Sequence, residues 1–248
     1  MYNKLPALGI RFWIMKIAAT TLGESAGDLF SMTFKIGYAI TSLILLLCFC
    51  SFLYIQLKSP NYKVFLYWTV ILLTSTAGTT MSDFIDRTLQ LGYAVGSILL
   101  LFLLFSILFI WWINEKSISV TYINSPTGEF YYWLAILVSN TLGTALGDYI
   151  SESSGLGFGG SMMIIGLLLT LLWGLNSWTS LSKVFLFWFA FILTRPFGAT
   201  LGDFLTKSSE QGGLNFGTIV TSSILLVILI VFAVFERYDS NKVVMSIE

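Results

Sequence analysis

Apolar stretches of about 20 residues alternate with short polar connections along the whole chain. Eight stretches can be drawn, at residues 10–30, 36–57, 64–85, 91–113, 129–151, 158–178, 184–206 and 214–236. A helix needs about 20 mostly apolar residues to cross the hydrocarbon of a bilayer. The pattern therefore predicts an all-α integral membrane protein with eight transmembrane helices, forming a single membrane domain over residues 1–248.

The eight stretches are of two kinds. The even-numbered ones are plainly apolar, and residues 40–57, 95–112 and 219–235 carry no charge. The odd-numbered ones begin apolar and aromatic, then become polar and glycine-rich toward their C-terminal ends. Hydrocarbon cannot accept a polar helix face, so that face of each odd helix must meet protein or water.

The polar ends are four copies of one pattern, each closing on an aspartate: Asp28, Asp83, Asp148 and Asp203. A glycine stands five residues before each aspartate, and a tryptophan stands fifteen before it, at Trp13, Trp68, Trp133 and Trp188. This regularity predicts four repeats, at residues 9–60, 61–118, 126–180 and 181–240. A linker at about 114–128 separates the two halves.

Each repeat contains two helices, so every copy enters the membrane from the same side. We therefore expect four parallel helical-hairpin repeats around a central axis, in a pseudo-fourfold arrangement. The aspartates are spaced by 55, 65 and 55 residues, so the second half copies the first at an offset of 120 residues. A two-plus-two arrangement is therefore also open, because the two halves are more alike than neighbouring repeats.

Lysine and arginine set the orientation. One side carries eight of them: Lys4, Arg11, Lys58, Lys63, Lys116, Lys183, Arg237 and Lys242. The other side carries Lys35, Arg87 and Lys207. The richer side is predicted to be cytoplasmic, which places both termini there and the protein in the cell inner membrane. Lys16 is expected to snorkel to that interface, where the four tryptophans form an aromatic belt.

Composition and charge narrow the chemistry. Of 248 residues 56% are hydrophobic and 10% are charged, and 13 basic residues balance 13 acidic ones, so no nucleic-acid partner is expected. The chain has no histidine, and its two cysteines, Cys48 and Cys50, lie on different sides of a helix. Neither a zinc site nor a cofactor is expected, and the chain is not predicted to be an enzyme.

Steps of four residues back from each aspartate stay on one helix face. They give Asp28, Glu24 and Thr20; Asp83, Thr79 and Ser75; Asp148, Thr144 and Asn140; and Asp203, Ala199 and Arg195. The stripe beginning one residue earlier contains only small residues, which let membrane helices approach closely. If the polar stripes face inward, they form a central acidic cluster with five carboxylates and one arginine, and Glu24 is predicted to pair with Arg195.

Five buried carboxylates repel one another unless cations or protons compensate them. We therefore expect a transporter or channel for a small hard cation, with divalent metals such as manganese included, because only oxygen ligands are on offer. Five residues are predicted to bind the cation, as metal ligands where the cation is a metal, or to carry protons: Asp28, Asp83, Asp148, Asp203 and Glu24. Six are predicted to line the path: Thr20, Ser75, Thr79, Asn140, Thr144 and Arg195.

Three other functions stay open. An intramembrane aspartyl hydrolase needs two carboxylates that share a proton. A non-transporting structural or interaction protein uses the aspartates only to close a network. An exporter of organic cations places the tryptophans at its site. The expected partners are a small cation and the lipid bilayer, and a second copy of the chain is left open.

The four repeated units, each led by an upstream tryptophan, resemble a bacterial family of uncharacterised "membrane-anchored" proteins built from a short transmembrane repeat of unknown function. The resemblance covers nearly the whole chain and includes all four units. It implies a polytopic inner-membrane protein of this size, and it brings no activity or substrate.

Overall fold

The computed structural model describes residues 4–120, 123 and 125–245, with side chains up to residue 239. Within these residues the fold is all-helical and contains no strand. The eight long helices are α1 (Ile10–Asp28), α2 (Tyr38–Lys58), α3 (Val64–Asp83), α4 (Gly92–Glu115), α5 (Pro126–Asp148), α6 (Gly157–Trp178), α7 (Lys183–Thr206) and α8 (Thr218–Met245).

The odd helices differ in how the backbone continues after the aspartate. In α1, α3 and α5 it passes into a π-helical turn, at Leu29–Thr33, Phe84–Thr88 and Tyr149–Ser153. A single π-helical turn is rare and often marks a functional site. The fourth repeat differs, because α7 ends at Thr206 and a short 3₁₀ turn comes next, at Ser209–Gln211.

In the described part of the chain, six helices are long and apolar enough to cross a membrane: α2, α3, α4, α6, α7 and α8. The other two long helices, α1 and α5, have 19 and 23 residues. Most of their residues are buried, and their polar residues keep their hydropathy low. The chain is therefore a membrane protein with two polar helices shielded by the rest.

The odd helices form an inner ring. Helix α1 packs against α3 and α7, and α5 packs against the same two helices. All four run in the same direction, because their first turns meet one another and so do their last turns. The rings of Phe12 and Trp68 lie 5.8 Å apart at one end, and Arg87 contacts Asp148 at the other. We call these the Trp end and the Asp end of the inner ring.

The even helices cover the ring from outside. Each one packs mainly against the inner helix of the next repeat: α2 on α3, α4 on α5, α6 on α7, and α8 on α1. The two helices of one repeat are thus joined in sequence, while their main contacts are with other repeats. The outer surfaces are apolar, and side chains such as Ile98, Phe102 and Leu167 are 67–75% exposed.

The small-residue stripes lie where the inner helices touch, which confirms the predicted close packing. A Cβ atom added to Gly23 would lie 2.4 Å from the Cβ of Ser75, and one added to Gly198 would lie 2.3 Å from the hydroxyl of Thr20. A Cβ on Gly78 would lie 2.9 Å from the backbone of Asn140. Glycine is needed at these positions because no side chain fits between the two backbones.

The prediction of an aromatic belt is wrong for three of the four tryptophans. Trp68, Trp133 and Trp188 are buried and pack inward rather than toward lipid. Their rings join a cluster that fills the Trp end of the ring, where the hydroxyls of Tyr67 and Tyr132 are hydrogen-bonded at 2.7 Å. The aromatic side chains therefore close this end of the axis.

Candidate functional site

Arg195 lies at the centre of the inner ring and touches its other three helices. Its Nη1 donates to the carbonyl oxygen of Thr20 at 3.3 Å and lies 3.1 Å from the Glu24 carboxylate, both on α1. Its Nη2 donates to the carbonyl oxygen of Ser75 at 3.2 Å and to the Thr79 hydroxyl at 2.5 Å, both on α3. The same nitrogen donates to the Thr144 hydroxyl of α5 at 2.7 Å.

The predicted ion pair between Glu24 and Arg195 is present. Both side chains are buried, with relative exposures of 4% and 0%. The hydroxyls of Thr79 and Thr144 accept from Arg195 and donate to Glu24 at 3.2 and 3.4 Å, so they bridge the two charges. A buried pair needs such additional hydrogen bonds to offset the loss of water.

The guanidinium reaches the axis because α5 offers no side chain in its way. A Cβ atom added to Gly143 would lie 2.3 Å from Cγ of Arg195 and 3.0 Å from Cδ of Pro196. Gly143 therefore makes the space for the stem of Arg195. Pro196 comes directly after it in α7, within a helix that continues to Thr206.

At the Asp end, Lys207 bridges the first and fourth repeats. Its Nζ donates to Asp28 at 2.5 Å and lies 3.2 Å from Asp203. Lys207 stands just after α7, where burial lowers its pKa but Asp203 and Asp28 raise it further, so that the pKa lies above the ordinary value. Lys207 is therefore a permanent cation between two buried carboxylates.

Arg87 makes the matching bridge between the second and third repeats. Its Nε lies 2.9 Å from Asp83, and its Nη2 lies 3.4 Å from Asp148 and 3.3 Å from Glu152. The aspartates are almost fully buried, while the arginine side chain is 32% exposed. All four predicted aspartates thus lie at the Asp end of one ring, in two cation-bridged pairs.

Arg87 and Lys207 are the site residues that the sequence pattern places in loops. Each stands four residues after an aspartate, Asp83 and Asp203, and that spacing brings side chains together on a helix. The π-helical turn after Asp83 keeps Arg87 facing the cluster. The expected excess of four negative charges is therefore too large, because these two cations also belong to the cluster.

The remaining path residues also face the ring interior. The hydroxyl of Thr20 lies 3.0 Å from the carbonyl oxygen of Lys16, and the Asn140 amide nitrogen donates to Thr74 at 2.9 Å. Ser75 is buried, and among the described atoms its hydroxyl has no hydrogen-bond partner. These residues therefore lie buried among the inner helices, and their role as the lining of a path stays a prediction.

The prediction that Lys16 snorkels to the membrane interface is wrong. Lys16 has 0% exposure, and its side chain crosses the axis to Asn140 of α5, with Nζ 3.3 Å from Oδ1. It also lies 3.9 Å over the ring of Phe191. Lys16 stands four residues before Thr20, so continuing the polar stripe by one more step finds it.

The arrangement limits how a metal ion can be held. Among the residues that the structure describes, no three acidic or cysteine side chains form a group that could bind a metal. The aspartates instead contact arginine and lysine. A cavity of about 550 Å³ lies elsewhere, between α1, α6 and α7, and is lined mainly by apolar residues such as Trp13, Leu169 and Trp173.

Comparison with known proteins identifies the family. The repeat described as "Repeat of Unknown Function (DUF347)" matches the chain four times, at residues 11–62, 66–117, 131–181 and 186–238. Neither a curated protein nor a solved structure matches the chain. The four matches cover most of the chain, so the protein belongs to the DUF347 repeat family of unknown function.

Proposed function

We propose that all eight helices cross the membrane as four repeats that enter from the cytoplasmic side of a cell inner membrane. Helices α1 and α5 are too polar to face lipid, and the ring of neighbouring helices removes that requirement. The excess of lysine and arginine near the Trp end supports a cytoplasmic location for that end and for both termini. The Asp end then faces outward.

We propose further that the protein transports a small cation along the axis of the inner ring. One observation carries this proposal: five buried carboxylates share three contacting cations, Arg195, Lys207 and Arg87. The carboxylates are Glu24, Asp28, Asp83, Asp148 and Asp203. Five negative and three positive charges leave −2, which protons or a transported cation must balance.

The axis offers a graded set of oxygen atoms for such a cation. The aspartates lie at the Asp end, the hydroxyls of Thr79 and Thr144 lie one turn deeper beside Glu24, and Thr20 and Ser75 lie one turn deeper still. Arg195 occupies the middle of this path. Passage of a cation therefore requires Arg195 to move aside, and its long side chain makes that movement local.

Carboxylate, hydroxyl and carbonyl oxygens favour hard ions. No ready-made group of three carboxylates exists among the described residues, so a cation meets one or two carboxylates at a time. This supports a monovalent ion or a divalent ion that keeps part of its water shell. Manganese, magnesium and calcium belong to the second class.

The test is ion flux into proteoliposomes across a panel of monovalent and divalent cations. Wild type is compared with Asp83→Asn and Asp148→Asn, each of which removes one carboxylate that contacts Arg87. We expect saturable flux of at least one cation in wild type and a reduction of about tenfold in each variant, the equivalent of one lost contact of 1.4 kcal/mol.

Asp86→Asn is the matched control. Asp86 is also buried, with 5% exposure, but it accepts from Ser82 at 3.1 Å and packs against Gly96 of α4, away from the axis. Its flux should equal that of wild type. Equal leak in all four proteins contradicts transport, and aspartate variants that only lose stability favour a structural role instead.

A further inference from the structure

Lys16 is a buried basic group that the proposed path has not used. It lies on the axis side of α1, one helical turn from Thr20 and two turns from Glu24, toward the Trp end. Its side chain is fully buried and reaches across the ring from α1 to α5. Any species moving along the axis must pass it.

The surroundings of Lys16 differ from those of the other three axial cations. Its Nζ contacts the amide oxygen of Asn140 at 3.3 Å and the face of Phe191 at 3.9 Å. Within residues 4–120, 123 and 125–239 no carboxylate lies within ion-pair distance of it. Arg195, Lys207 and Arg87, in contrast, each contact at least one carboxylate.

No facing group compensates a charge on Lys16. Helix α7 presents Arg195, which is itself positive and is paired with Glu24 of α1. The nearest titratable groups of α3 and α5 toward the Trp end are Tyr67 and Tyr132, whose hydroxyls bond each other. On α8, Glu236 accepts from Tyr62 and Trp68.

A buried ammonium with a single amide oxygen and one aromatic face is strongly unfavourable, because burial removes its water without supplying an opposite charge. The uncharged amine keeps the same contacts, and its lone pair remains able to accept a proton. Lysine is the basic side chain that most readily exists uncharged when it is buried.

We infer that Lys16 is a proton-binding site of the axis, uncharged in this conformation, whose proton is exchanged for the transported cation. The inference rests on the proposed function. One proton binds the lone pair of the amine when the axis opens to water, and the amine becomes an ammonium with one positive charge. That charge repels Arg195 and any cation beside Glu24, so a proton on Lys16 and a cation at Glu24 exclude each other.

The first measurement needs no knowledge of the cation. Thermal or denaturant unfolding of the purified full-length protein is followed between pH 6 and 9 for wild type and Lys16→Met. Unfolded lysine is charged throughout this range, so the unfolded wild type binds one proton more at Lys16. The stability of wild type relative to Lys16→Met should therefore rise with pH. The ratio of the folding equilibrium constants of wild type and variant should increase about tenfold per pH unit.

Lys183→Met is the control for this measurement. Lys183 begins α7 on the exposed surface, where it contacts Asn176 at 3.0 Å, and its variant should follow the pH dependence of wild type. A Lys16→Met variant whose stability stays parallel to wild type at every pH shows that Lys16 is charged in the fold, and overturns the inference.

The second measurement is proton movement in proteoliposomes that contain a pH-sensitive dye and a gradient of the transported cation. Wild type should move protons opposite to the cation, whereas Lys16→Met should lose the proton signal. A variant that still moves protons as wild type does overturns the exchange. Absence of cation flux in wild type overturns the proposed function instead, while the stability measurement still decides the charge of Lys16.

Discussion

The Asp end and the centre of the inner ring use the same residue types in opposite ways. At the Asp end, Arg87 and Lys207 occupy positions 120 residues apart and make equivalent bridges, so this end has twofold symmetry. At the centre, Arg195 and Glu24 have no counterparts, because the positions 120 residues away from them are Ser75 and Thr144. The two halves thus agree at the Asp end, where the bridging cations are partly exposed, and differ at the fully buried centre.

The comparison shows where the two similar halves of a repeat protein can become different. The bridges at the Asp end use one cation from each half of the chain, so the two halves are alike there. Arg195 comes from the second half alone, so the two halves differ at the centre. The bridges at the Asp end favour the two-plus-two description over a strict fourfold one, since the first and third repeats carry Met32 and Glu152 where the others carry a cation.

Removing one charge at the centre should have the largest effect. Arg195→Met leaves Glu24 buried without its partner, at an expected cost of about 3–5 kcal/mol in the free energy of unfolding. The double variant Glu24→Gln with Arg195→Met should recover most of that loss, which a double-mutant cycle measures directly. Arg11→Met, which breaks the exposed pair with Asp239, should change nothing measurable.

Filling the space beside Arg195 should have the next largest effect. Gly143→Ala places a methyl group 2.3 Å from Cγ of Arg195, and overpacking of this kind costs about 1–3 kcal/mol. The control is Gly174→Ala on outer helix α6, where the added Cβ meets only Trp178, at 3.6 Å. Equal unfolding midpoints for the two variants would show that the inner helices can shift to accept the methyl group without a loss of stability, contrary to this prediction.

Breaking a bridge at the Asp end should cost less than breaking the pair of Glu24 and Arg195. Lys207→Met leaves Asp28 and Asp203 without their cation, with an expected loss of about 1.5–3 kcal/mol near neutral pH. Melting temperatures of the variant and wild type near neutral pH test this.

The equivalent bridge of the other half allows the same stability measurement to be repeated at Arg87. Arg87→Met removes the equivalent bridge, so its loss of stability should resemble that of Lys207→Met. A difference larger than about 1 kcal/mol between the two variants would show that Glu152, which contacts only Arg87, makes the two bridges unequal.

The smallest effect is expected from a single hydroxyl. Thr144→Val removes a group that accepts from Arg195 at 2.7 Å and faces Glu24 at 3.4 Å. The loss should be about 1 kcal/mol, since Thr79 still bridges the pair. Thr144→Ser keeps the hydroxyl and should restore stability, as measured by denaturant unfolding.

Much of the fold could be predicted because it depends on period and repetition. The apolar stretches match the helices closely, and steps of four residues from each aspartate find the residues that meet at the axis. The pair of Glu24 and Arg195 is predictable from the ring, since the first and fourth repeats are neighbours there.

The errors concern side chains whose direction depends on tertiary structure. The sequence pattern places Arg87 in a loop, but a π-helical turn returns it to the aspartates. Lys16 is expected to reach the interface, yet the aromatic cluster closes that end and the side chain turns inward. Trp68 and Trp133 are buried for a similar reason. The packing of the four inner helices decides which face of each helix lies inside.

The packing of each outer helix on the next repeat has a consequence for biosynthesis. Helix α1 is made first, but its neighbours α7 and α8 are made last. Until they arrive, Glu24 lacks Arg195 and the polar stripe of α1 has no complete shelter from lipid. The nascent chain must therefore hold its first helix in a protected place, at the insertion machinery or near the bilayer surface, until the last two helices close the circle.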